Sequence, residues 1–229
     1  MTTAPIRPLH AGDQAPSFVL PAVNRDGMIG LEDYRGKGAV LIGLFRGLHC
    51  PFCRRQVTQL GITRDKLARE GVETLAIVNT PAERARQYFQ YRPTRVLLAA
   101  DPDVQTHRAF GLPKLEFVPD DTPQSQLHWP DRTTMAVFLG QRFNPTRELE
   151  EPMNVLESMD TLNRKDGFQP TEADQQIMAT HPTQLTGHFL VDMQGTIRWS
   201  RAEGEDGPTD LLNFPSDDEL IEAVQTLAR

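Results

Sequence analysis

Apolar residues along the chain recur with two periods, one typical of strands and one typical of helices. Ala39–Phe45 is a continuous apolar run of strand length, which predicts a central strand buried on both faces. In residues 51–70 the apolar positions recur at helical spacing, and Gly71 predicts the end of that helix. Further strands are predicted at 17–21, 28–31, 72–78, 95–100, 186–191 and 196–200, and further helices at 81–91, 101–110 and after Ser216.

Short polar segments mark where these elements begin and turn. Thr80 with Glu83, and Ser216 with Glu219, have the spacing of capping boxes, in which side chains satisfy free backbone N–H groups at a helix start. Residues 192–195 (DMQG) predict a hairpin turn between the last two strands, because glycine readily takes the positive φ that such turns need.

Alternation of strand and helix, followed by a hairpin and a helix, predicts an α/β fold with an antiparallel edge. Residues 113–185 break this order with proline-rich polar turns, an apolar run at 135–139 and a helix that bears Val155 and Leu162. A structureless loop of that length is improbable in a compact domain. We therefore predict a single domain over 1–229 in which 113–185 is an inserted subdomain or flap.

Charge and hydropathy exclude several classes of function. The formal net charge is −7, which disfavours binding to nucleic acid or to an anionic membrane surface. The longest apolar run is far shorter than the roughly 20 residues that a transmembrane helix needs. The first residues lack the apolar region of a secretory signal, so the expected location is cytoplasmic.

The chain has two cysteines, and they form a CxxC motif at residues 50–53 (CPFC). A disulfide across so short a loop removes little entropy from the unfolded chain, so a disulfide whose role is only to stabilise the fold is disfavoured. A zinc site needs four ligands, and the next histidine after Cys53 is His107. Redox chemistry is the favoured interpretation, with structural zinc or a pair of inert buried thiols as the alternatives. No cofactor and no metal are predicted.

The position of the motif assigns different roles to the two cysteines. It follows a buried strand and begins a helix, so Cys50 is the expected N-cap and Pro51 the first helical residue. The backbone N–H of Cys53 and the helix dipole then stabilise a thiolate on Cys50. Cys50 is therefore the predicted nucleophile, and Cys53 the predicted resolving cysteine that attacks a disulfide or sulfenic acid on Cys50.

Other side chains near the motif are candidates for supporting roles. Arg46, Arg54 and Arg55 are expected to add positive potential. His49 precedes the nucleophile and suggests a general base, although adjacent residues at a strand end usually point apart.

The remaining histidines and the methionines of the insertion have simpler interpretations. His107 and His128 are expected at the surface or hydrogen bonded, and His188 is expected to be packed and hydrogen bonded within a strand. Met153, Met159 and Met178 are interpreted as packing residues rather than as part of a cofactor site.

Three segments resemble a known family. GDQAPSFVLPAVNRDGMIGLEDYRGKGAVLIGLFRGLHCPFC, LAADPDVQTHRAFGL and QLTGHFLVDMQGTIRWSRAEG are similar to the thioredoxin-like redoxins, especially the peroxiredoxin-like alkyl hydroperoxide reductase and thiol-specific antioxidant group. The resemblance covers roughly 10–112 and 184–229. It implies a thioredoxin-like fold, a central mixed sheet flanked by helices, with an N-terminal extension, a large insertion before the last two strands and a redox-active Cys50.

Two departures from that family bear on activity. Typical peroxiredoxins resemble one another in a threonine three residues before the reactive cysteine and a proline further upstream, where this chain has Gly47 and Gly43. Their arginine at the start of the later strand corresponds to Thr186, where thioredoxins have a cis-proline. The CxxC itself resembles a thioredoxin or glutaredoxin arrangement.

Part of the insertion, which precedes Thr186, is expected to cover the active-site groove, with a surface elaboration or dimer contact as the alternative.

We accordingly expect an enzyme, a thiol-disulfide oxidoreductase with secondary thiol-dependent peroxidase activity. The alternatives are a peroxiredoxin whose main activity is peroxide reduction, and a non-enzymatic redox sensor or interaction protein. The expected partners are protein or small-molecule thiols and disulfides, peroxide, a reductant such as thioredoxin or glutathione, and a second copy of the chain in a homodimer.

Overall fold

The computed structural model describes residues 7–228; the outermost residues of the predicted 1–229 domain lie outside that range. Its strands are β1 (Val19–Pro21), β2 (Met28–Gly30), β3 (Ala39–Phe45), β4 (Val72–Val78), β5 (Leu97–Ala100), β6 (Glu116–Val118), β7 (Arg132–Thr134), β8 (Gly187–Val191) and β9 (Ile197–Ala202). Its helices are α1 (Pro51–Arg69), α2 (Ala82–Tyr91), α3 (Gln105–Ala109), α4 (Met135–Gly140), α5 (Val155–Lys165), α6 (Glu172–Thr180) and α7 (Asp217–Gln225).

Five strands form the central sheet, in the order β5-β4-β3-β8-β9. Strand β3 pairs in parallel with β4 and antiparallel with β8, and β9 completes the antiparallel edge. The mixed sheet flanked by helices confirms the predicted fold class. No helix in residues 7–228 is long and apolar enough to cross a membrane.

Successive side chains of β3 point to opposite faces of the sheet and pack into two separate hydrophobic cores. Leu41 and Phe45 point into a core that also holds the buried faces of α1, α2, α5 and α7. Val40, Ile42 and Leu44 point into a second core, which is covered by the N-terminal hairpin and by Phe110 after α3. Strand β3 is therefore buried on both faces, as its continuous apolar run predicts.

Most predicted elements are present, with shifted ends. Ser216 caps α7 as expected, and its hydroxyl accepts the Glu219 N–H. The hairpin turn before β9 places Gly195 at a φ of 84°. The predicted capping box at Thr80 is wrong: α2 begins after Pro81 without a side-chain cap. Thr80 Oγ1 instead accepts a hydrogen bond from the Leu48 N–H, 3.1 Å away, so a long-range contact replaces the local one.

Residues 113–185 hold the parallel pair β6 and β7 and the helices α4, α5 and α6. The two ends of the segment lie side by side, because the Leu185 N–H donates to the Pro113 carbonyl and the Leu115 N–H donates to the Thr183 carbonyl. The apolar run at 135–139 forms most of α4. The insertion therefore leaves the domain and returns to it at neighbouring positions, and β8 begins directly after its return.

Candidate active site

The site lies where three chain segments meet at one edge of the central sheet. Leu44 in β3 is paired with Gly187 in β8, and Gly187 is paired with Ala202 in β9. Residues just beyond these positions, Arg46, Thr186 and Glu203, are therefore neighbours in space. The loop 46–50 connects this edge to the start of α1.

The two cysteines have the arrangement that the sequence predicts. Cys50 is the N-cap of α1, with extended backbone angles of φ −85° and ψ 107°, and the Cys53 N–H donates to its Sγ at 3.4 Å. Both cysteines are free thiols, and they are only 1% and 2% exposed. Access to either sulfur therefore requires a small reactant or a movement of the surrounding chain.

The surroundings separate the pKa values of the two thiols. Burial acts to raise the pKa of Cys50, but the hydrogen bonds from Cys53 and the charge of Arg46 outweigh it and lower the pKa to about 6. Burial, together with the interaction with Cys50, raises the pKa of Cys53 well above its ordinary value. At neutral pH Cys50 is thus the thiolate and Cys53 the thiol, which is the division that nucleophile and resolving cysteine need.

Arg46 is held by a buried carboxylate. Its Nη2 donates to Glu203 Oε2 at 2.7 Å, and the two side chains are 11% and 3% exposed. Burial acts to lower the pKa of Arg46, but the Glu203 carboxylate and the nearby cysteines outweigh it and raise the pKa. Thr186 donates to the same Oε2 through both its N–H and its hydroxyl, each at 3.0 Å. Two of the candidate side chains, Arg46 and Thr186, are thus linked through a residue that the sequence did not indicate.

Arg54 and Arg55 have partners in the insertion. Arg54 Nη2 pairs with Asp166 at 2.5 Å, and Arg55 pairs with both Asp166 and Glu148. Arg54 also donates to the carbonyl of Leu48 in the active-site loop. The expectation that these two arginines add positive potential needs correction, because acidic partners balance their charges. Their role is to join the start of α1 to the insertion.

His49 is buried and faces the insertion. Burial and the charge of Arg46 lower its pKa to about 4, so its ring is neutral at pH 7. Its Nδ1 has no hydrogen-bond partner within residues 7–228. The carbonyl of His49 accepts a hydrogen bond from Asn163 Nδ2 at 3.2 Å, so the loop itself also contacts the insertion.

Asn79 lies against the position that a side chain at Gly47 would occupy. A Cβ at Gly47 would lie 2.8 Å from Asn79 Oδ1, 3.0 Å from His49 Nδ1 and 3.1 Å from Ile177 Cγ2. Asn79 is fully buried, and within the described part of the chain neither end of its amide has a partner. A side chain at position 47 would therefore displace Asn79 and crowd His49 and Ile177.

An apolar cavity of about 260 Å³ adjoins the loop. Arg46, His49 and Glu203 line its polar end, and the insertion supplies most of the rest of its wall. Met153 and Met159 pack against the core, as expected, whereas Met178 is exposed. Met159 and Met178 also line the cavity. The other apolar side chains from the insertion that line it are Leu115, Phe117, Met135, Phe138, Val155 and Leu156.

The positions of His107, His128 and His188 agree only in part with their predictions. His107 is fully buried, which excludes the surface alternative of its prediction, whereas His128 is exposed, as one of the two alternatives predicts. His188 is packed between Phe45 and Phe214, as expected for a strand residue, but its Nε2 lacks a hydrogen-bond partner in the described range.

Sequence reasoning missed Glu203, Asn79 and Asp166. A signal existed for Glu203, because the hairpin turn at 192–195 pairs the start of β8 with the end of β9 and so brings residue 203 to Thr186. Asn79 follows directly after a predicted buried strand, a position where a polar side chain reaches the same sheet edge as the cysteine loop. Asp166 had no such signal, since nothing in the sequence fixes how the insertion packs on α1.

The fold and the paired thiols define a redox-active protein with a thioredoxin-like fold. Residues 11–200 match the AhpC/TSA family, and the chain belongs to that family. Peroxiredoxin Bcp of Escherichia coli K12 is 32% identical over 108 residues, which cover 47% of this chain and 67% of that protein.

Two solved structures show the same fold at low sequence identity. Peroxidoxin BcpB from Mycobacterium tuberculosis superposes with a TM-score of 0.55 and 12% identity, over 96% of this chain and 97% of that one. The reduced 2-Cys peroxiredoxin of Plasmodium vivax superposes with a TM-score of 0.58 and 14% identity, over 96% and 83%. The family membership identifies the chain as a thiol-dependent peroxidase or oxidoreductase, so the expectation of an enzyme is confirmed.

Proposed function

We propose that this protein is a thiol-dependent peroxidase that reduces small peroxides, with Cys50 as the nucleophile and Cys53 as the resolving cysteine. The observation that carries the proposal is the hydrogen bond from the Cys53 N–H to Cys50 Sγ at a buried helix start. It stabilises a thiolate on one sulfur and holds the second sulfur one helical turn away.

The reaction follows from these positions. The Cys50 thiolate attacks one oxygen of the peroxide, so that an S–O bond forms, the O–O bond breaks, and the departing oxygen takes a proton to become an alcohol or water. The Cys53 thiol then attacks the sulfenic acid on Cys50, which forms a disulfide and releases water. Two electrons from an external thiol, such as thioredoxin or glutathione, restore both cysteines. We place the protein in the cytoplasm, where such reductants are maintained.

Thiol-disulfide exchange is the second candidate. The CxxC spacing and the absence of a hydroxyl at Gly47 favour it. The burial of both sulfurs favours peroxide instead, because a folded protein disulfide has to reach a sulfur that is 1% exposed. The third candidate, a redox sensor, requires that the CxxC oxidise without turnover.

We propose that the insertion acts as a cover over the site, and that it limits the size of the substrate. The contacts of Asn163 with the His49 carbonyl and of Asp166 with Arg54 support this role. If the insertion is instead a homodimer contact, sedimentation velocity should show a dimer that is lost when exposed residues of 113–185 are changed.

Stopped-flow kinetics with hydrogen peroxide and an insulin-reduction assay on the same preparation test the proposal. We expect rapid single-turnover oxidation by peroxide and slow insulin reduction, with Cys50→Ser inactive in both. Insulin reduction faster than peroxide reduction would favour the exchange candidate. Oxidation without turnover in either assay would favour the sensor.

A further inference from the structure

Three helices of the insertion bring exposed apolar side chains to the apolar cavity beside the cysteine loop. Met135 in α4, Leu156 in α5 and Met178 in α6 all line it, although they are 39%, 54% and 45% exposed. The cavity therefore opens to solvent between these helices. Large apolar side chains that are exposed together, each from a separate helix, are typical of a site that receives an apolar ligand.

The size of the cavity suits a small molecule rather than a segment of another chain. Its volume of about 260 Å³ lies just below the roughly 300 Å³ at which small-molecule sites usually begin. One water takes roughly 30 Å³ in the liquid, so the space admits a ligand with on the order of ten non-hydrogen atoms. Met159, which is half-buried, also lines the wall, and flexible thioether side chains adapt to the shape of a ligand.

The polar end of the cavity carries no unbalanced charge. Arg46 and Glu203 line this end, and they are paired with each other through Nη2 and Oε2 at 2.7 Å. His49 lies there too, and burial and the charge of Arg46 lower its pKa to about 4, so its ring is neutral at pH 7. A charged ligand would have no counter-charge in this apolar space, and burying an unpaired charge is costly. The site therefore favours a neutral ligand.

The same end favours a ligand with a hydrogen-bond acceptor. Arg46 Nη1 and His49 Nδ1 are buried and have no hydrogen-bond partner within residues 7–228. A guanidinium can only donate hydrogen bonds, and a buried donor without a partner is costly. An oxygen acceptor on the ligand would satisfy such a donor, whereas a pure hydrocarbon would leave it unpaired.

We propose that the cavity is a binding site for a small neutral organic molecule, whose apolar body lies among the insertion helices and whose single oxygen acceptor faces Arg46 and His49. Cys50 and Cys53 are not among the described residues that line the cavity, so binding there does not depend on the proposed peroxidase activity. Because the insertion and the cysteine loop both supply its wall, a bound molecule should hold the two together and stabilise the folded protein.

Acetophenone, a neutral aromatic ketone, is a suitable probe for the whole chain. In spectra of carbon-13-labelled methionine methyl groups, the signals of Met135, Met159 and Met178 should shift and saturate, with a dissociation constant below about 1 mM. Met28 and Met193 are exposed to a similar extent but do not line the cavity, so their signals should stay in place. The midpoint of thermal unfolding should rise with the acetophenone concentration.

Two further ligands of similar size test the polar end on the wild-type protein. Ethylbenzene lacks the oxygen acceptor and should bind about fivefold more weakly than acetophenone. Benzoate carries a negative charge and should bind at least about tenfold more weakly.

Variants test where the ligand lies. Met159→Trp fills the cavity and should abolish binding, whereas Met193→Trp is the matched control and should bind as the wild type does. Cys50→Ser should also bind acetophenone like the wild type, so the site can be confirmed even if the protein proves not to reduce peroxides.

Several results would overturn the inference. They are shifts of all the methionine signals together, the absence of saturation, or unchanged binding to a folded Met159→Trp variant. Benzoate that binds as tightly as acetophenone would exclude a neutral ligand. If the signals of the cavity methionines change with protein concentration and without added ligand, a second copy of the chain covers the opening instead.

Discussion

Asn79 Oδ1 lies 2.8 Å from the point that a Cβ on Gly47 would occupy. The two residues come from the ends of the neighbouring parallel strands β3 and β4, which meet at the same sheet edge. The Asn79 side chain therefore fills space that a threonine at position 47 would need.

Gly47→Thr should therefore not create a faster peroxidase. Its Cβ would contact Asn79, His49 and Ile177 too closely, and we expect a loss of roughly 1–3 kcal/mol in the free energy of unfolding from overpacking. Urea denaturation measures this loss, and stopped-flow kinetics measure the peroxide rate. Gly140→Thr is the matched control, because nothing lies within 4 Å of a Cβ at that position. A stable Gly47→Thr variant with a raised peroxide rate would contradict this account of the site.

The two cysteines should react in a fixed order. Iodoacetamide at pH 6 to 7 should modify Cys50 before Cys53, because only the Cys50 thiol has a lowered pKa. Cys50→Ser should abolish activity, whereas Cys53→Ser should keep the first attack and accumulate a sulfenic acid or mixed disulfide, seen as added mass on the intact protein. Modification of Cys53 first, or turnover by Cys50→Ser, would exclude the assigned roles.

The pH dependence should report the Cys50 thiolate. Since the thiolate attacks and the pKa is lowered to about 6, the single-turnover rate should rise between pH 5 and 7 and then level off. An unperturbed thiol would continue to rise to about pH 8.5. Arg46→Gln removes a positive charge that lowers the pKa, so the midpoint should move to higher pH. A midpoint that stays in place would show that Arg46 does not act on Cys50.

The sequence predicts the local parts of this site because local rules determine them. The position of Cys50 at a helix start follows from a buried strand, a proline and helical periodicity within about 30 residues. Glu203 and Asn79 depend on which strand ends meet, so they become predictable only when sheet order is known. The pairing of Arg54 with Asp166 depends on how α5 packs on α1, which no periodic pattern encodes. Local spacing likewise predicts that Thr80 caps α2, but its hydroxyl accepts a long-range hydrogen bond from the Leu48 N–H instead.

The cavity beside the loop should control which organic peroxides react. Met159→Trp should fill much of the space of about 260 Å³ and reduce kcat/KM for a bulky hydroperoxide such as cumene hydroperoxide by about tenfold, with little effect on hydrogen peroxide. Met193→Trp, at an exposed turn position, is the matched control and should behave as the wild type. An equal loss of kcat/KM with both peroxides would show that the substitution disturbs the cysteines, and that the cavity does not select the peroxide.

The insertion should open when its link to α1 is weakened. Asp166 accepts hydrogen bonds from both Arg54 and Arg55; burial acts to raise its pKa, but these bonds outweigh it and lower the pKa. Asp166→Asn should loosen the cover and raise the reaction rate with a bulky aromatic disulfide several-fold, while the hydrogen peroxide rate changes little. Asp160 lies in α5, the helix that ends at Asp166, and pairs with the exposed Arg164, so Asp160→Asn should leave both rates unchanged. If a folded Asp166→Asn variant reacts with the disulfide at the wild-type rate, the insertion does not limit access to Cys50, and its role has to be sought at the outer surface instead.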